Sequence, residues 1–285
     1  MNEMVVNVAR LSLWLALLAT LFVPLEWLFS LRERGQRKGW RLADLGYYYL
    51  NGVLPGLILA PLLASLALAV HAATPAAYGA WVAGLPFWAK LVAGLLVAEV
   101  GSYWAHRWCH TVPALWRFHA VHHSVEHLDW LANTRAHPLD IVFVRLCGLA
   151  PLYALGLATT GARGADAMIP VYITLVGTVW SFLVHANVRW RFGVLEQIAA
   201  TPAFHHWHHT NSAEGRDRNY AAMLPWIDRL FGTLHLPRDR WPPVYGIDQP
   251  VEGGMAGELM HPFRRPAMVD RSEKDAALPS APLGE

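Results

Sequence analysis

The sequence predicts an all-α, polytopic membrane protein of about five transmembrane helices that carries a helical cap on its cytoplasmic side. Three observations predict it. The 285 residues are 54% hydrophobic and only 15% charged, against roughly 25% charged in soluble domains. Long apolar runs at about residues 5–30, 46–71, 87–105, 141–160 and 167–186 each approach the ~20 residues that cross a bilayer as a helix. Eight of the 15 histidines fall into three clusters spaced by three and four residues, a helical spacing that stacks side chains on one face.

The elements follow in order. The first run is too long for a signal-peptide core, and its flank offers Glu3 rather than a basic cluster, so it reads as a retained span. Residues 31–41 carry Arg32, Arg34, Arg37, Lys38 and Arg41, whereas residues 72–86 carry no charge. The positive-inside rule places the basic segment in the cytoplasm. Threading the remaining spans puts the N-terminus outside and both 106–140 and everything after 187 inside, so all three histidine clusters share one compartment. Residues 1–94 then form N-terminal transmembrane helices with a basic loop, 95–235 a catalytic domain, and 236–285 a C-terminal extension that is polar and disordered after about 264.

Only Cys109 and Cys147 are present, which excludes a disulfide framework and a paired-cysteine zinc motif. Cys109 lies among the candidate ligands but is not required. A net charge of +2 is too small to imply a nucleic-acid partner.

The histidines carry the chemistry. The third span runs without a breaker into His106 and His110, and Pro113 follows as a turn. His119, His122 and His123 lie on a second short helix that must double back to face the first pair. His205, His208 and His209 repeat the same offsets, after a Thr201-Pro202 helix entry. Eight neutral imidazoles are too many for one ion and suit two, at about four apiece. Imidazole favours zinc, copper, iron or nickel. The cap is therefore expected to hold a dinuclear metal site, and the duplicated pattern suggests a pseudo-symmetric pair of ions.

Other residues admit two readings each. His185 ends the fifth span at the depth of His106, as a further ligand or as a boundary histidine. His137, before Pro138, is second shell or a structural turn. Glu99 lies deep in the third span, where an ionised carboxylate costs about 3 kcal/mol; it contacts a ligand on another helix or is a protonated group packed on a neighbouring span. His206 points away from the ligand face, His127 lies off the clusters, and His71, His235 and His261 are bystanders. Residues 221–234 form an amphipathic segment that docks on the membrane or packs on the cap.

A hydrolytic zinc site keeps three ligands and a nearby carboxylate base, and no His-Glu-x-x-His is present. A metal transporter places ligands near the bilayer midplane rather than at span ends. Redox-active iron suits a pair of ions that must reduce dioxygen, and a site at the membrane boundary lets a lipid present a C–H bond without leaving the bilayer.

Residues 95–235 resemble the fatty acid hydroxylase and sterol desaturase superfamily of integral-membrane di-iron enzymes. The likeness rests on His106-x3-His110, His119-x2-His122-His123, Arg135-x-His137-Pro138, His185-x-Asn187, Thr201-Pro202-x2-His205-x2-His208-His209, Asn219-Tyr220 and the run from Trp226 through Thr233. Ala221 departs from the Gly that many relatives carry there. The resemblance implies O2-dependent hydroxylation or desaturation of a membrane lipid by two iron ions, for which zinc can substitute in a purified sample. The metal ligands implied are His106, His110, His119, His122, His123, His185, His205, His208 and His209, with Glu99, His137 and Asn187 as candidate second-shell residues. No catalytic side chain beyond the ligands and no organic cofactor is implied. Electrons are expected from a separate cytochrome b5 or ferredoxin-type donor, since no haem-ligating His-Pro-Gly-Gly occurs. The alternative is a membrane metal-binding protein that retains the site without turnover.

Overall fold

A computed structural model describes residues 2–32, 40–159, 162–249, 251 and 253–264. Among them the protein is all-helical, without a named strand. Helix α1 (Glu3–Phe29) starts at Asn2, whose side chain accepts from the Met4 N–H at 3.0 Å and so satisfies one of the free donors of the first turn. Helix α2 (Trp40–Ala73) is 34 residues long, about 51 Å at 1.5 Å per residue. Both exceed the ~30 Å hydrocarbon core. Leu13, Leu17, Leu57 and Leu68 are each more than half exposed, an outward apolar surface that lipid would cover.

Among the described residues three helical segments are long and apolar enough to cross a membrane: Glu3–Phe29, Leu42–Ala73 and Gly164–His185. Helices α3 (Ala76–Ala83) and α4 (Phe87–Thr111) qualify only as one span bent by 107°. The expected five spans are thus corrected to three, or four with the bent pair. Helix α4 carries Lys90, Glu99 and Arg107 along its length, which lowers its apolar content. In the expected fourth span, helix α6 (Pro138–Ala154) stops at 17 residues, and Gly156 adopts a left-handed φ of 67° two residues later. Hydropathy merged that helix with the loop beyond it.

Helices α4 and α6 pack through glycines. A Cβ on Gly101 would stand 2.2 Å from the Cys147 carbonyl oxygen, and one on Gly148 would stand 2.5 Å from Ser102 Oγ. Only glycine permits this approach, which brings the start of α6 beside the end of α4. Helix α5 (Pro113–His123) doubles back after Pro113, which occupies its first turn. The expected turn is therefore the first turn of this helix. Helix α7 (Ile169–His185) brings His185 to the same level.

Polar clamps tie the loops and short helices around the histidines to the long helices. Glu26 of α1, buried, accepts from the N–H groups of Trp130 and Asn187 at 2.8 Å each. Phe22 stacks on Trp130 with ring centroids 5.9 Å apart. Arg135 pairs with Glu258 at 2.7 Å, docking helix α10 (Gly254–Met260) against the loop before α6. Arg32, counted among the basic loop residues, stacks over Tyr245 at 4.1 Å. Arg34, Arg37 and Lys38, the side chain of Arg41 and the tail after residue 264 lie outside the described residues.

Candidate metal centre

The candidate ligands sit on four helices. Helix α4 supplies His106 and His110, α5 supplies His119, His122 and His123, α7 supplies His185, and α8 (Pro202–His208) with its C-cap supplies His205, His208 and His209. Thr201 caps α8 by accepting from the Phe204 N–H at 3.4 Å, with Pro202 in the first turn.

The rings gather into two groups. One holds His106, His110, His119, His123 and His208, the other His122, His185, His205 and His209, and within each group the donor atoms lie within 4.8 Å of one another. His122 and His123 go to different groups, as do His208 and His209, because consecutive helical residues point about 100° apart. On α5 the pair spaced by four joins the first group, while on α8 that pair joins the second. The near-two-fold pattern expected from the duplicated spacing thus arises from two helices exchanging roles, with five donors on one side and four on the other rather than four on each.

Nitrogen spacings support convergence on ions. Nε2 of His119 lies 3.1 Å from Nε2 of both His106 and His123. In the second group the His185–His122, His185–His205 and His205–His209 Nε2 separations are 3.2, 3.0 and 3.1 Å. Nitrogens bound at about 2.0–2.1 Å to a common ion are separated by about 3.0–3.4 Å along a coordination edge. The buried Nε2 atoms of His110 and His208 have no hydrogen-bond partner, a state that a cation would relieve. The donor set therefore fits two metal ions.

The outward nitrogens are held in one tautomer. Nδ1–H of His106 donates to the Tyr220 carbonyl at 2.8 Å, that of His208 to Arg218 O at 2.8 Å, and that of His110 to the Asp217 carboxylate at 3.1 Å. His122 donates to Arg135 O at 3.0 Å and His185 to Ser181 O at 2.7 Å. His119 donates to Asp140 Oδ2 at 2.9 Å. Each bond leaves the Nε2 lone pair facing inward. Burial pushes the His122 ring down to about 4, helped by the proximity of the His119 ring. Burial, and then the adjacent rings, also holds His123, His205, His208 and His209 well below the ordinary imidazole value. They are neutral at physiological pH, as ligands must be.

Several of these partners were missed in the sequence. Asp217 and Asn219 adopt left-handed φ values of 58° and 59°, which lets one short turn serve three candidate ligands of the first group. Asn219 bonds Phe204 O and His235 O, and Asp228 accepts from the Tyr220 and Ala221 N–H groups and Thr233. The Asn-Tyr and Trp226–Thr233 motifs thus build the support for His106 and His208. Ala221 keeps its turn through the Asp228 bond. Asp140 had a signal: an acid three residues after His137 at the start of an apolar helix.

The expected second-shell residues bond elsewhere. Glu99 accepts from the Met223 and Leu224 N–H groups at 2.9 and 3.2 Å, so it holds the segment before helix α9 (Trp226–Leu230) rather than a ligand, and it is not merely packed on a neighbouring span. His137 caps α6 by accepting from the Leu139 N–H and donates to Leu259 O. Asn187 exchanges hydrogen bonds with the Arg32 backbone, tying α1 to the end of α7. His206 accepts from Tyr245 Oη at 2.7 Å and donates to Ala186 O, away from both groups. His127 is exposed. Cys109 Sγ donates to Asp140 at 3.4 Å. In the expected amphipathic segment, α9 spans only five residues and buries Ile227 and Asp228.

A cavity of about 470 Å³ joins the centre to the membrane helices. His106, His119, His122, His185 and His205 line one part, and Leu11, Trp14 and Leu18 of α1 another.

An all-helical membrane protein that gathers nine imidazoles around two points defines the class: a polytopic protein with a histidine-built candidate dinuclear centre. Within that class the chain belongs to the fatty acid hydroxylase family, whose model matches residues 91–233, half its length. It is 39% identical over 189 residues to the ornithine lipid hydroxylase of Rhizobium tropici, covering 65% of this chain and 54% of that protein. It is 30% identical over 156 residues to the alkylglycerol monooxygenases of Danio rerio and Homo sapiens, covering 55% of this chain and 32% of each. The chain therefore spans between a third and about half the length of these relatives. No solved structure matches it.

Proposed function

We propose that the protein hydroxylates a C–H bond of a membrane lipid with dioxygen, at two iron ions held by the nine histidines. The observation that carries this reading is the continuity of the cavity: the apolar space among α1, α4, α6 and α7 ends on candidate ligands from both groups. A chain entering from the bilayer would place a carbon against the centre without crossing water. The names of the relatives, a lipid hydroxylase and two monooxygenases, support oxygen insertion over desaturation.

The balance is that of a monooxygenase. One oxygen atom enters the C–H bond, the other leaves as water, and two electrons and two protons are supplied. Bound iron would supply the dioxygen chemistry, which zinc cannot. The protein's own part is to hold the imidazoles neutral by burial, to orient them through Asp140, Asp217 and the carbonyls of residues 135, 181, 218 and 220, and to exclude water with apolar walls. Electrons come from a separate one-electron carrier of the cytochrome b5 or ferredoxin type. The charge asymmetry between residues 31–41 and 72–86 supports a centre on the cytoplasmic face.

Comparative lipid mass spectrometry of cells expressing the wild type or His122→Ala tests the reading. A wild-type-only lipid heavier by one oxygen, about 16 Da, is expected for hydroxylation. A loss of about 2 Da would mark desaturation instead. Identical lipid profiles, together with no iron-dependent oxygen uptake by the membranes, would leave a passive metal-binding protein.

A further inference from the structure

The cavity contains a charge that the metal centre does not use. Ile141, Val144, Arg145, Gly148 and Leu149 of α6 form one stripe of its wall, at the i, i+3, i+4, i+7, i+8 spacing of a single helix face. Four of these five are the apolar or small residues expected beside an acyl chain. Arg145 is not, and no side chain or carbonyl among the described residues accepts from its guanidinium. The two carboxylates in the same cavity are committed elsewhere: Glu99 to the Met223 and Leu224 N–H groups, and Asp140 to His119 and Cys109. Asn51, which also lines the cavity, spends its amide N–H groups on Thr134 O and Ala136 O and leaves Oδ1 buried without a partner.

An unpaired guanidinium in an apolar enclosure is costly unless a ligand completes it. Its planar fork matches a carboxylate or a phosphate in two parallel hydrogen bonds. Along α6, Arg145 stands five residues beyond Asp140, about 7.5 Å of rise from the residue that holds His119. We propose that Arg145 is a specificity-determining residue that binds an anionic group, carboxylate or phosphate, of the lipid substrate. The carbon to be oxidised then lies within a few bonds of the anion rather than at a remote methyl end, because one cavity must hold the anion at Arg145 and that carbon at the imidazoles. The unpartnered Asn51 Oδ1 suits an N–H or O–H beside the anion. This inference rests on the lipid-oxidation reading, since it concerns how that substrate is held.

The test is competitive binding, read without turnover. The purified full-length chain in zwitterionic nanodiscs is given an equimolar mixture of oleate, oleyl phosphate and oleyl alcohol, and the bound species are counted by native mass spectrometry. The wild type is expected to prefer at least one anion over the alcohol by about tenfold or more. Arg145→Gln should bring that ratio close to one, and Arg145→Lys should keep part of it. Preference for oleate alone assigns a carboxylate, and preference for oleyl phosphate alone assigns a phosphate. Thermal unfolding checks the fold of Arg145→Gln, which removes an unpaired charge and should not lower the midpoint. An equal ratio in the wild type, or an unchanged ratio in Arg145→Gln, overturns the proposal. If anion preference holds while no cellular lipid gains oxygen, the oxidation reading fails and the binding site stands. If lipid gains oxygen and the anion preference is absent, only this inference fails.

Discussion

The Asp140 carboxylate accepts a 2.9 Å hydrogen bond from the Nδ1–H of His119, and both groups are buried. His119 Nε2 in turn lies 3.1 Å from the Nε2 atoms of His106 and His123. The acid at the start of α6 therefore orients the central imidazole of the first group. Asp140→Ala is expected to leave a buried N–H unpaired and to lower metal affinity by about 10- to 100-fold. Asp140→Asn, which can still accept through its oxygen, should lose less. Metal retained during dialysis against graded chelator measures both.

The division of neighbouring histidines between two groups predicts stoichiometry. Wild-type protein should hold about two ions per chain, and the double variants His110→Ala/His119→Ala and His205→Ala/His209→Ala should each leave about one, from opposite groups. Elemental analysis of purified protein decides this. A full complement in both variants would mean that the rings do not form two separate centres.

Glu99 anchors two backbone N–H groups at a buried position. Removing the acceptor should cost on the order of 3 kcal/mol, the penalty of leaving buried donors unmatched. Glu99→Ala is thus expected to unfold earlier in a thermal scan in detergent. Glu99→Gln should recover most of the loss, because its amide oxygen still accepts.

Gly101 links helix packing to the candidate metal site. Any Cβ there would meet the Cys147 carbonyl at 2.2 Å, so Gly101→Ala must push α6 away and carry Asp140 with it. A destabilisation of about 1–3 kcal/mol is expected, with weaker metal retention. Gly177, whose added Cβ would meet nothing within 4 Å, is the control. Gly177→Ala should be neutral or stabilising by up to about 1 kcal/mol.

The proposed cytoplasmic placement of the histidine centre makes a labelling prediction. Glu214→Cys, at an exposed position in the segment after the third histidine cluster, and Ala77→Cys, in the uncharged segment, should react with an impermeant maleimide from opposite sides of the membrane. Cys109 is buried and Cys147 partly buried, which keeps the background low. Reaction of both from the same side would remove the topology.

Helical class, membrane residence and the three histidine clusters were legible because each is a local signal. Apolar content requires lipid or burial, and spacing of three and four places rings on one helix face wherever that helix ends up. The entry of α8 at Thr201-Pro202 and the outward turn of His206 were readable for the same reason. Span number was not, because hydropathy cannot see that α6 ends before its apolar run does or that α3 and α4 meet at a bend. Which ring joins which group, and the roles of Asp140, Asp217 and Glu99, depended on contacts between segments 21 to 125 residues apart. The sequence by itself determined the donors. Only the tertiary structure decided their partners, since a hydrogen bond or a shared ion is a property of distances that the packing of α4 on α6 and of the 217–220 turn on α8 creates.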